Sequence, residues 1–173
     1  MQLKIAGSMI VVLSCAFLGY VLSTDCRKRP QQLRELQSML QMFENQISYL
    51  SDVITEAFDR ISRIGGSSTG IFFSRTVEIL RGEGSVGASQ AWEQAVRQNI
   101  KKTSLNREDE EVLVAFGKIL GGSDLEGQIK NIRLTMDQLK LQEVKAEDNR
   151  NRNENMYRSL GILGGIAVVI VLI

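Results

Sequence analysis

Hydrophobic positions along the chain fall into three zones with different patterns. Uncharged apolar runs occupy the two ends, at 5–23 and 160–173, and the region between them mixes apolar and polar residues. From 33 to 64 the apolar or small positions recur every three or four residues without a break. This spacing puts them on one face of an α-helix, and it continues in later stretches, so the middle region is predicted to be all-α.

Glycines and capping residues predict where the helices of this region begin and end. Extra apolar residues broaden the stripe in 33–64, which is typical of helices packed on two sides, and Ser51 or Asp52 can cap a new helix. We therefore predict two helices with a bend near 50–52, while one long coiled-coil-like helix is the alternative. Four further helices are predicted, at 71–80, around a core tryptophan at Trp92, after the capping residue Asn106, and from Leu125 onward. The predicted fold is thus a six-helix bundle.

The stretch GKILGGSDLEGQIKNI, at 117–132, has the glycine density of a phosphate-binding loop. A phosphate-binding loop needs a lysine and then Ser or Thr directly after its last glycine, and a strand before the loop. Here Ser123 and Asp124 follow the glycines, and the preceding residues have a helical pattern. The sequence therefore argues against a nucleotide site at this position.

The same glycines are better explained as a tight helix–turn–helix joint. Gly121 or Gly122 is predicted to end one helix, because glycine adopts the left-handed conformation common at helix ends. Ser123 and Glu126 fit an S-x-x-E capping box that begins the next helix. Gly127, in the first turn of that helix, allows another backbone to come close.

Each apolar end is predicted to span a membrane. As a helix, 5–23 is roughly 28 Å long, which is close to the thickness of the hydrocarbon core. The basic residues at 27–29 follow it at once and disfavour a cleaved secretion signal. The second run reaches roughly 25 Å when it is extended to 157–173. Within it, Gly161 and Gly165 make a small-xxx-small face suited to close helix packing.

Charge next to the two runs predicts the topology. Basic residues flank the inner end of each run, so the region between them is predicted to be cytoplasmic and both termini to point away from the cytoplasm. The predicted segments are a short non-cytoplasmic N-terminus at 1–4, a transmembrane helix at 5–23, a cytoplasmic helical bundle at 24–142, a polar helical stalk at 143–156 and a transmembrane helix at 157–173.

The composition offers little catalytic chemistry. The sequence has no histidine, which removes the commonest general base and the commonest metal ligand. Its two cysteines, Cys15 and Cys26, do not have the spacing of a metal site. With 21 basic and 20 acidic residues, the net charge is only +1, and the chain has no strongly basic surface to bind nucleic acid. We therefore expect no enzymatic activity, no metal, no cofactor and no nucleic-acid partner.

One block of charges, at 97–111, is a candidate partner surface. Its basic residues lead directly into four consecutive acids at 108–111. Consecutive carboxylates point around a helix and do not converge on a metal. The pattern favours a solvated helix end, and the alternative is a docking surface for a partner protein. The basic residues of that surface are Arg97, Lys101, Lys102 and Arg107.

Two segments resemble a known family. RPQQLRELQSMLQMFENQISY, at 29–49, and FGKILGGSDLEGQIKNIRLTMDQLK, at 116–140, are similar to stage III sporulation protein AB of endospore-forming bacteria. So is the layout with one apolar run at each end. That family in turn resembles the cytoplasmic domains of the type II secretion F protein, an inner-membrane platform whose domains are six-helix bundles. The secretion protein has two such domains and this chain has one, so a platform is expected to need several copies.

The resemblance implies a non-enzymatic scaffold in the channel-like or secretion-like complex between mother cell and forespore. It implies a place in the mother-cell membrane facing the forespore. The implied partners are a secretion-type ATPase, for which 97–111 is the candidate docking surface, other stage III sporulation membrane proteins, and membrane lipid. The alternative is a membrane-tethered coiled-coil adaptor or signalling protein without a transport role. A compact bundle favours the scaffold, and an extended rod favours the adaptor.

Overall fold

All regular structure in the described part of the chain is helical. The computed structural model describes residues 28–48, 54–64, 68–82, 86–122 and 124–172, with only the backbone described at 64, 154–155 and 157–172. The helices are α1 (28–48), α2 (Ile54–Ile64), α3 (Gly70–Arg81), α4 (Ala88–Asn99), α5 (Arg107–Ile119) and α6 (Leu125–Leu172), and a 3₁₀ turn at Ile100–Lys102 follows α4. Within these residues there is no strand, so the prediction of an all-α fold with six helices is confirmed.

The stretch 33–64 forms two helices that pack against each other. In one straight helix, positions 43 and 58 would lie about 22 Å apart. In the structure, the ring centroids of Phe43 in α1 and Phe58 in α2 are 4.8 Å apart. The two-helix interpretation is therefore confirmed, while the predicted bend at 50–52 lies outside the described residues.

Aromatic rings from several helices form the centre of the bundle. Trp92 of α4 is fully buried, and its ring centroid lies 5.4 Å from that of Phe58, 5.0 Å from that of Phe73 and 5.3 Å from that of Phe116. The indole N–H donates to the backbone oxygen of Leu113 at 2.7 Å, so the only polar atom of this side chain is satisfied. The prediction that Trp92 is a core residue is confirmed, and its contacts join α2, α3, α4 and α5.

Gly117 allows α5 to approach the tryptophan. A Cβ atom at this position would lie 2.5 Å from Cδ1 of Trp92, which is shorter than any normal carbon–carbon contact. Any side chain at 117 would therefore push the indole ring or the helix away. The first glycine of the glycine-rich stretch is thus explained by packing.

Residues Arg29–Val144 form one compact unit, in which α6 lies antiparallel to α1. Arg34, early in α1, pairs with Glu143 of α6 at 2.7 Å, and Glu44, late in α1, pairs with Arg133 of α6 at 2.7 Å. Positions that increase along α1 therefore meet positions that decrease along α6. This arrangement brings the beginning and the end of the unit to the same side.

A second compact unit comprises Met1–Lys28 and Lys145–Ile173. In it, the backbone of α6 continues to Leu172 through Gly161 and Gly165, and Glu147 pairs with Arg150 at 3.0 Å. The first predicted span, at 5–23, and the side chains of 157–173 lie outside what the structure describes. No helix among the described residues has the length and apolar character needed to cross a bilayer.

Candidate interaction surface

One end of the compact unit brings its first and last residues together. Arg29, at the start of α1, donates from Nη2 to Oε1 of Gln142 in α6 at 3.2 Å. The same guanidinium group donates from Nε and Nη2 to the carboxylate of Asp109 in α5, at 2.8 and 2.9 Å. The end of the unit defined by Arg29, Asp109 and Gln142 is named the proximal end below.

Asp109 also caps its own helix. Its backbone N–H donates to Oδ1 of Asn106 at 3.0 Å, and its Oδ2 accepts from the backbone N–H of Asn106 at 2.9 Å. This capping box satisfies two amide groups that the start of a helix leaves unpaired, and it confirms the prediction that Asn106 caps α5. Asp109 is fully buried, so the solvated helix end favoured for 108–111 is wrong for this residue.

The segment between α4 and α5 is fixed at the proximal end by Gln32 of α1. Oε1 of Gln32 accepts from the backbone N–H of Ser104 at 2.8 Å, and its Nε2 donates to Oγ of Ser68 at 2.8 Å. Gln32 lies less than one helical turn after Arg29, so its partners lie near the Arg29–Asp109 pair. The 3₁₀ turn, which ends two residues before Ser104, is therefore part of the same end.

Two of the four basic residues predicted as a partner surface are engaged by carboxylates. Arg97 pairs with Glu93 at 2.8 Å and approaches Glu110 at 4.0 Å. Arg107 pairs with Glu111 at 3.2 Å, and both of these side chains are exposed. Acids within the block and Glu93 just before it thus offset much of the charge of Arg97 and Arg107, which weakens the block as a strongly charged docking surface.

The other two, Lys101 and Lys102, carry charge without such compensation. Both lysines are exposed on the 3₁₀ turn. Nζ of Lys102 donates to Oδ1 of Asn99 at 2.9 Å, but that amide is neutral. No ion pair to either lysine occurs within the described residues. The pair therefore presents two positive charges to solvent at the proximal end.

The joint between α5 and α6 lies at the opposite, distal end of the unit. α5 ends at Ile119, and Gly121 has a φ of 77°, the left-handed conformation that glycine adopts at helix ends. A Cβ atom on Gly121 would lie 3.6 Å from side-chain atoms of both Ala88 and Ile54, so the beginnings of α4 and α2 meet here. Gly122 follows with its N–H donating to the backbone oxygen of Ile119 at 3.3 Å.

The helix cap of α6 falls one residue later than the sequence analysis placed it. Oδ1 of Asp124 accepts from the backbone N–H of Gly127 at 3.1 Å, which is N-cap geometry for a helix that begins at Leu125. Gly127, and not Glu126, therefore stands at the third helical position. Ser123 lies outside the described residues, and Glu126 is exposed.

The pKa of Glu143 in α6 is strongly lowered by its partners. Its carboxylate accepts from Nε of Arg34 at 2.7 Å, from Nε2 of Gln37 at 3.0 Å and from Nζ of Lys140 at 2.9 Å. Burial of the carboxylate on its own raises the pKa of Glu143. The three hydrogen bonds and the charge of Lys140 outweigh burial, and they lower the pKa from 4.5 to about 2. The ionised form therefore stabilises the contact between α1 and α6.

Glu143→Gln is expected to destabilise the full chain at neutral pH by about 1–2 kcal/mol. The pKa shift alone corresponds to about 3 kcal/mol, but Arg34 and Lys140 are more than half exposed, so solvent screens part of it. Because the folded pKa is the lower one, this stability is complete above about pH 4.5 and is lost as the pH falls towards 2. Urea unfolding of both proteins in detergent between pH 2 and 7 measures it.

The matched control for this experiment is Glu111→Gln, which removes an exposed carboxylate from a one-turn surface pair. It is expected to change the free energy of unfolding by less than about 0.5 kcal/mol at any pH. A difference between wild type and Glu143→Gln that stays constant down to pH 2 would contradict the assignment of stability to the ionised carboxylate.

The buried acids of the described residues join helices. Within the described residues, no group of three or more carboxylate or cysteine side chains is placed to hold a metal ion. The buried acids Asp109 and Glu143 form ion pairs with arginines of α1, and these pairs join the helices.

Comparison with known proteins identifies the family. The family model for stage III sporulation protein AB matches residues 4–173. The chain belongs to the stage III sporulation protein AB family. Stage III sporulation protein AB of Bacillus subtilis (strain 168) is 32% identical to it over 171 residues, which are 99% of this chain and 99% of that protein.

A solved structure agrees with this membership. A structure of stage III sporulation protein AB, 32% identical in sequence, matches with a TM-score of 0.67 and covers 72% of this chain and 98% of that one. The family resemblance found in the sequence segments at 29–49 and 116–140 is thus confirmed. Membership in the stage III sporulation protein AB family indicates a role in sporulation.

Proposed function

We propose that this family member is a non-enzymatic membrane scaffold of the channel-like or secretion-like complex between mother cell and forespore. In this proposal, the apolar runs at 5–23 and 157–173 anchor it in the mother-cell membrane facing the forespore. The compact unit Arg29–Val144 lies in the cytoplasm, where several copies together hold a secretion-type ATPase and contact other stage III sporulation proteins.

The observation that supports this proposal is the contact between Arg29 and Gln142 at 3.2 Å. These residues stand at opposite ends of the compact unit in sequence, yet they are neighbours in space. A folded unit whose two chain ends are close together can be joined to two membrane spans on one side of a bilayer without a change in its fold. The basic residues that flank both apolar runs favour the cytoplasm as that side.

A non-catalytic role is supported by the partners of the two buried carboxylates, Asp109 and Glu143. Asp109 caps α5 and binds Arg29, and Glu143 binds three side chains of α1 and α6. A general acid or base needs a proton-transfer group that faces a substrate, and these carboxylates face cationic partners inside the bundle. The sequence also contains no histidine.

The second candidate function is a membrane-tethered coiled-coil adaptor or signalling protein. An extended rod would bury residues mainly along one helix pair, whereas Trp92 packs against rings from α2, α3 and α5. The compact unit therefore favours the scaffold.

The scaffold proposal is tested with the full chain reconstituted in nanodiscs and mixed with the secretion-type ATPase made alongside it. We expect weak capture by one copy and capture at least about tenfold stronger when several copies share one disc, because linked weak contacts add. The chain alone is expected to hydrolyse no ATP. The control is a nanodisc that lacks the chain, which should capture no ATPase.

Two results would count against the scaffold. ATP hydrolysis by the purified chain, retained after further purification, would replace it with an enzyme. Capture that is absent at every copy number, with the bundle intact by circular dichroism, would leave the adaptor as the better explanation.

A further inference from the structure

We propose that Lys101 and Lys102 form a contact surface for anionic lipid headgroups. The proposal rests on the proposed function, because it requires the apolar runs to be anchored in a bilayer. It assigns to membrane lipid two of the residues that the sequence analysis offered as a docking surface for an ATPase.

Only a short stretch of chain connects the first predicted span to the proximal end. The predicted span 5–23 ends only six residues before Arg29, and six residues extend over at most about 20 Å. Arg29 is part of the proximal end through its bonds to Asp109 and Gln142. The length of α1, about 30 Å, then carries the chain to the distal end. In the proposed topology, the chain therefore enters the compact unit at the proximal end, a few residues after the first span.

Lys101 and Lys102 lie at the proximal end on a turn that hydrogen bonds hold in place. Ser104, two residues after Lys102, is bonded to Gln32 of α1 at 2.8 Å. The backbone N–H and the hydroxyl group of Thr103 both donate to the backbone oxygen of Ile100, at 3.0 and 2.7 Å. These bonds close the turn that carries Lys101 and Lys102. The positive charges are thus on a fixed turn and not on a loose segment.

The charge of the two lysines favours an anionic lipid headgroup as the ligand. Both lysines are exposed and have no ion pair within the described residues, so their charges are available to an anion. The sequence has further basic residues at 27–29, where the compact unit begins. Arg29 is one of them, but its charge is paired with Asp109. Clustered basic residues beside a membrane segment attract the anionic lipids of the cytoplasmic leaflet.

The experiment measures how fast an amine-acylating reagent modifies individual lysines of the full chain, by mass spectrometry of peptides. The chain is reconstituted in vesicles of phosphatidylcholine alone and in vesicles with three parts of phosphatidylcholine to one part of phosphatidylglycerol. Lys118, in the last turn of α5, and Lys130, near the start of α6, are exposed lysines away from the proximal end, and they serve as internal controls.

We expect modification of Lys101 and Lys102 to be about threefold to tenfold slower in the anionic vesicles, and Lys118 and Lys130 to be unchanged. Raising the salt concentration to about 1 M should remove most of the difference, because it shortens the Debye length to about 3 Å. Equal rates in the two kinds of vesicle would overturn the proposal. So would protection of Lys118 and Lys130 in place of Lys101 and Lys102.

Two further outcomes separate this inference from the proposed function. A chain that washes off vesicles at alkaline pH is not anchored, which overturns both. Capture of the ATPase in detergent that is lost in Lys101→Glu/Lys102→Glu, with the circular dichroism spectrum unchanged, would assign the lysines to a protein partner and overturn the lipid surface alone. Unchanged capture in that variant is the result expected here.

Discussion

Asp109→Ala is expected to destabilise the full chain by about 3–5 kcal/mol. Asp109 is fully buried, while the side chain of its partner Arg29 is 13% exposed, so the substitution leaves a largely buried guanidinium group without its anion. It also removes the acceptor for the backbone N–H of Asn106 and with it half of the capping box. Urea unfolding in detergent, followed by the fluorescence of the single tryptophan, measures the loss.

The matched control is Glu111→Ala, two residues further along α5. Glu111 pairs with Arg107, but both side chains are mostly exposed, so the expected change is below about 0.5 kcal/mol. Asp109→Asn should fall between the two, because an amide oxygen can still accept one of the bonds. If Asp109→Ala lowers the free energy of unfolding no more than Glu111→Ala does, the buried pair of Arg29 and Asp109 does not stabilise the fold.

The helices themselves were predictable because their causes are local. The three-four spacing of apolar residues in 33–64, the glycines at 121–122 and the cap at Asn106 all act within one or two helical turns. The structure has α5 beginning just after Asn106 and ending just before the glycine pair. Even the division of 33–64 into two helices followed from the breadth of its apolar stripe.

The contacts that define the proximal end were not predictable, because they join residues far apart in sequence. Arg29 appeared in the sequence as one of several basic residues beside a predicted span, and Asp109 as one of four consecutive acids. Nothing in either pattern distinguishes the buried member of a charged run from its exposed neighbours. A weak signal existed in Asn106 and Asp109, since an Asx residue followed three positions later by an acid fits a capping box.

The glycine-rich stretch shows the same limit at short range. Its role as a joint followed from the residues, but Asp124 and Ser123 are both good capping residues, and sequence alone does not decide between adjacent candidates. The explanation for Gly117 was beyond sequence altogether, since it depends on the position of the indole ring of Trp92.

Trp92→Ala is expected to destabilise the chain by about 3–5 kcal/mol. The substitution opens a cavity among Phe58, Phe73 and Phe116 and removes the hydrogen bond from the indole N–H to the backbone oxygen of Leu113. Gly117→Ala in the wild-type background should cost about 1–3 kcal/mol, because its Cβ would lie 2.5 Å from Cδ1 of Trp92. Gly122→Ala is the control, since its Cβ would meet nothing closer than 3.9 Å. Circular dichroism during urea unfolding reads out every variant.

The decisive comparison is Gly117→Ala in the background of Trp92→Ala. With the indole ring removed, the clash disappears and only helix propensity remains, which favours Ala over Gly by up to about 1 kcal/mol inside a helix. The same substitution should therefore destabilise the wild-type chain and be neutral or stabilising in the Trp92→Ala chain. Equal costs in the two backgrounds would mean that Gly117 is required for a reason other than the tryptophan. A reversal of sign identifies the contact between α4 and α5 as the reason for glycine at this position.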